Sequence, residues 1–269
     1  MMLNKQPLKW AGALIAVSSL LFAGSVVAET PAEKGMAITV EADKRNSGWV
    51  DSKVDMEMIL RNRQGQESKR ELRSTGLEKP DDGDWSMIIF DKPKDVKGTA
   101  LLTHSHKVDP DDQWLYLPAL KRVKRIASNN KSGPFMGSEF AYEDLSSQEI
   151  EKYTDYVWLR DEPANGVDCF VVNRVPVDEK SGYTKQEAWI DKEHYRVQKV
   201  DFYDRKGELL KTLTASDYQV YNDKHWRPGK MEMVNHQTGK STALLFTNYA
   251  FGNGFSDRDF DQNSLKSAR

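Results

Sequence analysis

Between about residue 50 and residue 250 the chain is built from short runs in which apolar side chains recur at alternate positions. A cluster of turn-forming residues closes each run. A period of two puts one face of the backbone toward a core and the other toward water, which is the requirement of a β-sheet and not of a helix. Val54, Met56, Met58 and Leu60 alternate with Asp55, Glu57 and Arg61, and Arg63-Gln64-Gly65-Gln66 then turns the chain into a more polar strand at Glu67–Leu77. Pro80–Asp84 is a second turn. Trp85–Phe90 follows with apolar residues on both faces, Trp85, Met87 and Ile89 opposed to Ile88 and Phe90, so this strand is covered on two sides. Thr99–His106, Gln113–Leu117, Leu120–Ile126, Cys169–Val175, Lys185–Ile190, Arg196–Tyr203, Glu208–Thr214, Tyr218–Tyr221, Lys230–Asn235 and Ser241–Tyr249 continue the pattern. The turns between them carry Asn165-Gly166, Ser181-Gly182, Gly207, Asn222-Asp223 and Thr238-Gly239, residue types suited to hairpins.

Helical signals are few. Ala32–Lys44 follows Pro31 and ends before Asn46-Ser47-Gly48, and it offers Met36, Val40 and Ile38 to an apolar neighbour. Ser146 and Glu149 have capping-box spacing and predict a short helix to about Tyr156. Phe255–Leu265 reads as a turn and a loose helix. No Pro/Ser-rich linker interrupts the chain. Successive hairpins with short connections therefore predict one domain over residues 29–269, mainly β, with a strongly curved antiparallel sheet. The alternative is a pair of smaller sandwiches that meet at Ser128–Gly137.

Residues 1–28 read as a signal peptide. Lys5 and Lys9 precede an apolar stretch from Trp10 to Phe22, and Val26-Val27-Ala28 satisfies the small-residue cleavage rule. The expectation is export to the periplasm with cleavage after Ala28. The remaining chain has no apolar run of spanning length, so any membrane contact is expected to be peripheral or transient. The net charge is −2, and losing Lys5 and Lys9 makes it −4, which argues against nucleic acid as a partner. Cys169 is the single cysteine, so no intramolecular disulfide forms, and it is expected to be a buried strand residue.

Chemistry-bearing motifs are scarce. There is no Gly-x-Ser-x-Gly, no His-Glu-x-x-His and no phosphate-cradling glycine loop. His104 and His106 share a strand face without a second pair of ligands nearby, and Asp109, Asp111 and Asp112 fit ordinary turn chemistry as well as they fit calcium. The reading is therefore of a protein that is not an enzyme and carries no cofactor or metal; a hydrolase with a dispersed site is the alternative.

Gln113–Leu145 stands apart. Gly133 and Gly137 bracket Pro134-Phe135-Met136, with Phe140 close behind, so the sequence predicts a hinged apolar loop. Just upstream, Arg122 and Lys124 point to one side of a strand, where they can meet an anionic head group or an acidic partner, or simply guard a sheet edge. Met56, Met58, Met87, Met231 and Met233 fall at inward-looking strand positions. Methionine adapts to varied apolar shapes, so these residues, with Trp85 and Ile89, are candidates for a deformable lining as well as for ordinary core.

At QWLYLPALKRVKRI and PFMGSEFAYEDL the chain resembles the LolA-like family of periplasmic outer-membrane lipoprotein-sorting proteins, in the branch often found beside RND-type exporters. Lys97-Gly98-Thr99-Ala100 and Glu187-Ala188-Trp189-Ile190-Asp191 add weaker support. The resemblance implies a half-open β-barrel with a few helices closing one mouth, and a cavity that shelters acyl chains on the way to the outer membrane. The expected function is a carrier of lipid or lipoprotein, with Met56, Met58, Trp85, Met87, Ile89, Phe135, Met136, Phe140, Met231 and Met233 as lining and gate. Expected partners are an RND-type exporter and an outer-membrane acceptor. The main alternative is an exporter adaptor without lipid cargo of its own. The family's lid-contacting arginine has no matched position in the sequence.

Overall fold

A computed structural model of the chain describes Met1 and residues 28–267, so the signal-peptide stretch at residues 2–27 lies outside the described residues. The strands in chain order are β1 (Asp51–Arg61), β2 (Glu67–Leu77), β3 (Trp85–Lys92), β4 (Ala100–His104), β5 (Asp112–Leu117), β6 (Arg122–Arg125), β7 (Tyr153–Asp161), β8 (Cys169–Pro176), β9 (Tyr183–Asp191), β10 (Val197–Asp204), β11 (Leu209–Ser216), β12 (Gln219–Tyr221), β13 (His225–Arg227), β14 (Lys230–Asn235) and β15 (Ser241–Phe251). Thirteen form one antiparallel sheet in the order β6-β5-β4-β3-β2-β1-β15-β14-β11-β10-β9-β8-β7, and β12–β13 is a separate hairpin. β1 closes the hairpin with β2 and also pairs with β15, so the two ends of the chain meet in mid-sheet. β6 and β7 are the free edges of the open sheet, which is curved but not closed.

Register sorts the side chains. Met58 lies opposite Arg70 and Leu244, and Met56 opposite Leu72 and Phe246. The same face continues through Phe90 and Leu101 on one side and through Met233 and Val200 on the other. These residues belong to one large buried cluster on the concave face. On the opposite face Leu77, Met87, Ile89, Ala100 and Leu102 form a second cluster, covered by Phe260 and Leu265 from the C-terminal segment. The Asp51 carboxylate anchors that segment. Burial works against its ionisation, but the backbone N–H groups of Asn253, Gly254 and Phe255 and the Asn253 side chain hold it below the usual carboxylate range.

Among the described residues two helices flank the sheet, α1 (Pro31–Asn46) and α2 (Gln262–Ser267). A capping box between Thr30 and Glu33 starts α1. Ile38 is buried in the concave cluster, whereas Met36 and Val40, expected to share that role, are exposed. Gly35 lets α1 sit directly on β7: a Cβ there would stand 2.6 Å from Trp158 N and 2.7 Å from Tyr156 O. The helix expected after Ser146 does not form. Residues 150–152 make a single 3₁₀ turn and β7 begins at Tyr153, because pairing with β8 outweighs the local capping signal. Cys169 is buried and free, as expected.

Candidate functional site

The concave face is closed by its own chain. Residues 126–152 leave β6 as a series of 3₁₀ turns and cross the face before entering β7. Phe135 is fully buried and Phe140 nearly so. Phe135 packs against Phe90 (ring centroids 5.7 Å) and edge-on to Tyr142 (5.6 Å). The sequence made Phe135 and Met136 part of a hinged apolar loop; in the structure Phe135 is a core residue and Met136 is half-buried beside it. The glycine hinge is real at one side only. Gly137 (φ 77°) and Met136 (φ 49°) both adopt left-handed backbone, which bends the chain back so that Phe140 O accepts from Phe135 N at 2.7 Å. This segment, here called the plug, thus occupies part of the apolar space expected from sequence.

Polar side chains from distant strands hold the plug. Arg70 of β2 donates to Met136 O at 2.7 Å, and Gln113 of β5 donates to Tyr142 O at 2.9 Å. Lys211 of β11 donates to Glu139 O at 3.0 Å and to Asp144 Oδ2 at 2.6 Å. Asp144 also accepts from Tyr183 Oη at 2.7 Å and from Ala141 N at 2.6 Å. Thr242 Oγ1 accepts from Glu139 N at 3.0 Å, and Asn235 donates to the Glu139 carboxylate at 2.8 Å. Ser181 and Gly182 donate to Glu143, whose carboxyl is nevertheless pushed up by burial. The Lys211–Asp144 pair is 4% and 5% exposed, so it is a desolvated ion pair whose geometry must be satisfied. Burial of the Arg70 guanidinium against Phe90 lowers its pKa. Sequence reading assigned none of these pins. The available signal was a charged residue at a strand position of apolar parity: Lys211 shares its face with Leu213 and Ala215, and Arg70 with Leu72.

The remaining candidate residues divide. Met56, Met58 and Met233 are buried on the concave face, and Met231 is half-buried against them. Trp85, Met87 and Ile89 are not part of this face. They belong to the opposite cluster, where Trp85 stacks on His104 at 3.9 Å and His104 bonds Phe260 O at 2.7 Å, while their neighbours Ile88 and Phe90 face the plug. A strand with apolar residues on both sides does not reveal from sequence which side is concave. Arg122 and Lys124 pair with Leu117 and Leu115, so they stand on the concave side of an edge strand, exposed and away from the bonds that hold the plug.

Beyond the plug the concave face keeps half-buried apolar groups, among them Leu213, Met231, Phe246 and Tyr249. One cleft borders the plug, and a second lies beyond Arg70. The first, of about 260 Å³, has a mixed lining and lies between residues 108–111, the plug and the β8–β9 turn, with Lys131, Glu143, Lys152 and Tyr183 in its wall. The other, of about 690 Å³, opens where Arg70 emerges between β2 and the β3–β4 loop. Among the described residues no group of three or more His, Cys, Asp or Glu side chains is placed to hold a metal ion.

A family model described only as an uncharacterized protein matches residues 82–267. No curated protein matches the chain. Among solved structures, a domain from Vibrio parahaemolyticus named for outer membrane lipoprotein sorting is 59% identical (TM-score 0.85), covering 87% of this chain and 99% of that one. A DUF1329 family protein from Desulfovibrio piger is 29% identical (TM-score 0.83), covering 88% and 99%. A LolA superfamily protein from Nitrosomonas europaea shares the fold at 20% identity (TM-score 0.68), covering 86% and 98%. With a curved open sheet, few helices and near-complete coverage of a 59% identical relative, the chain belongs to the outer membrane lipoprotein-sorting family of LolA-like fold.

Proposed function

We propose that this protein is a periplasmic carrier that shelters acyl chains of a lipid or lipoprotein on the concave face and moves them toward the outer membrane. The observation that carries the reading is the plug. An apolar sheet face is covered by a short segment that side chains from five separate strands (β2, β5, β11, β14 and β15) tie down, while its own backbone contributes only one antiparallel bridge, Pro134 to Ala141, and a few turns. Such a cover can leave as a unit and expose the face beneath it. The energies match exchange better than storage. Burying Phe135 and Phe140 is worth roughly 1.5–3 kcal/mol each, with smaller gains from Met136, Tyr142 and Leu145. An acyl chain that buries about ten methylenes gains about 8 kcal/mol, so ligand and plug compete on nearly equal terms and cargo can be released again. In this reading the donor is an inner-membrane assembly of the RND-exporter type and the acceptor lies at the outer membrane.

Phe135, Met136 and Phe140 form the gate, and Met56, Met58, Met231 and Met233 the lining. Met136→Asp tests this with a fluorescent fatty acid. Aspartate tolerates left-handed backbone, so the fold is kept, while a carboxylate at the rim of the apolar face weakens probe binding. A probe that binds neither wild type nor any plug variant removes the carrier reading. The exporter-adaptor alternative then gains support from a crosslink to a membrane partner.

A further inference from the structure

The larger cleft, joined to the plug through Arg70, has a charge imbalance that the carrier reading alone does not use. Its wall contains Lys69, Arg70, Lys92, Lys94 and Lys97 against Glu57, Glu71 and Asp91. The three carboxylates are already engaged: Glu57 with Lys69 at 3.1 Å, Glu71 with Lys92 at 2.8 Å, and Asp91 with Arg73. Arg70, Lys94 and Lys97 are left over. Lys94 and Lys97 form no ion pair among the described residues, and Asp95, on the same loop, is a further carboxylate near Arg70. The loop that carries the two lysines is firmly set. Val96 packs on the concave cluster, Gly98 N donates to Phe90 O at 2.8 Å, and Thr99 N donates to Val96 O at 2.9 Å. Two exposed ammonium groups are therefore presented on a rigid loop at the wall of a cleft that also contains a part-buried guanidinium.

We infer that this cleft is a binding site for a phosphate-bearing anion, held by Lys94, Lys97 and Arg70, and that the anion draws Arg70 away from the plug. Guanidinium and ammonium groups are the side chains best matched to phosphate oxygens. Arg70 is the link: its NH1 donates to Met136 O at 2.7 Å, so an anion that recruits it competes with a backbone carbonyl that holds the plug shut. Recognition of the polar end of a ligand then loosens the cover over the apolar face. This inference rests on the carrier reading for its consequence, but the site stands on its own residues.

The test uses the whole exported chain and two probes without acyl groups, glycerol 1-phosphate and inorganic phosphate, each titrated by calorimetry. Hydrogen exchange is followed at Phe135, Tyr142 and Glu143. Binding of either probe, weakened at least tenfold in the Lys94→Gln/Lys97→Gln double variant and accompanied by faster exchange at the three plug amides, supports the inference. Stronger binding of the ester assigns the site to a lipid head group; equal binding assigns it to free phosphate. No binding, binding unchanged in the double variant, or unaltered plug exchange at saturation overturns it. A neutral monoacylglycerol probe, titrated in parallel, reports on carriage separately. A chain that takes up monoacylglycerol and ignores both phosphates overturns the inference and leaves the carrier standing. The reverse result supports the anion site while removing the carrier.

Discussion

Replacing Lys211 with methionine removes the ammonium that meets Asp144 beneath the plug while keeping an unbranched side chain of similar length. Both members of the pair are almost completely buried, 2.6 Å apart. Deleting one partner of a buried pair costs about 3–5 kcal/mol, because the other charge is left behind without water. Asp144 retains Tyr183 Oη and Ala141 N as donors, so the lower end, about 3 kcal/mol, applies. If the plug opens as a unit, that loss falls on the opening equilibrium and raises the open fraction by roughly a hundredfold. The exchange rates of the Phe135, Tyr142 and Glu143 amides, which bond to Phe140 O, Gly133 O and Lys131 O, should rise by that factor. The amides of β1 and β2 should stay close to their wild-type rates. Apparent affinity for a fluorescent fatty acid should rise as well, since a ligand that needs the open form is penalised by its scarcity. Adding Asp144→Asn should recover part of the loss, because an amide tolerates burial without a counter-charge. Equal acceleration in plug and sheet, or an affinity that fails to rise, would refute the idea that the plug is a separable cover.

Three other outcomes follow from local geometry. Burial pushes the Asp84 carboxyl from an ordinary 3.8 up to about 6, so the folded chain binds more protons than the unfolded one between those values, and stability falls as pH rises through that window. Asp84→Asn should therefore gain up to about 3 kcal/mol over wild type at pH 8 and much less at pH 4, in urea unfolding; a gain independent of pH would contradict this. Gly35→Ala should lower stability by about 1–3 kcal/mol, because its Cβ would meet the backbone of Tyr156 and Trp158, and an unchanged melting temperature would show that α1 can shift freely. Phe260→Ala should cost about 3–5 kcal/mol by emptying the cover of the convex cluster, read in the same urea titration, and should leave fatty-acid affinity unchanged because that face is not the site.

The strands were legible because their signal is local. β2 and β14 begin and end where alternation and turn residues place them, and β15 runs two residues past the expected end. The 146–156 region was misread for the opposite reason. Its capping-box spacing is local, whereas the edge pairing of β7 with β8 and the docking of Gly35 on β7 are tertiary. The site was half legible. The PFMGSEFAYEDL motif marks the plug, and each of its acidic residues has a partner: Glu139 with Asn235, Glu143 with Ser181, Asp144 with Lys211. Those partners lie from 38 to 96 residues away, so the bonds emerge only once the sheet order is known. Phe135 shows the limit of reading a loop from its glycines: a hinge says that the backbone can turn, not where the ring will pack.

In the carrier reading, hydrocarbon takes the place of the plug. Mass spectrometry of organic extracts from protein purified natively, without detergent, from the envelope tests it most directly. Acyl-bearing molecules should be present in at least comparable amount to the chain and should be displaced when a fluorescent fatty acid is added. Extracts empty of such molecules, from a chain that also refuses the probe when Lys211→Met has loosened the plug, would contradict it.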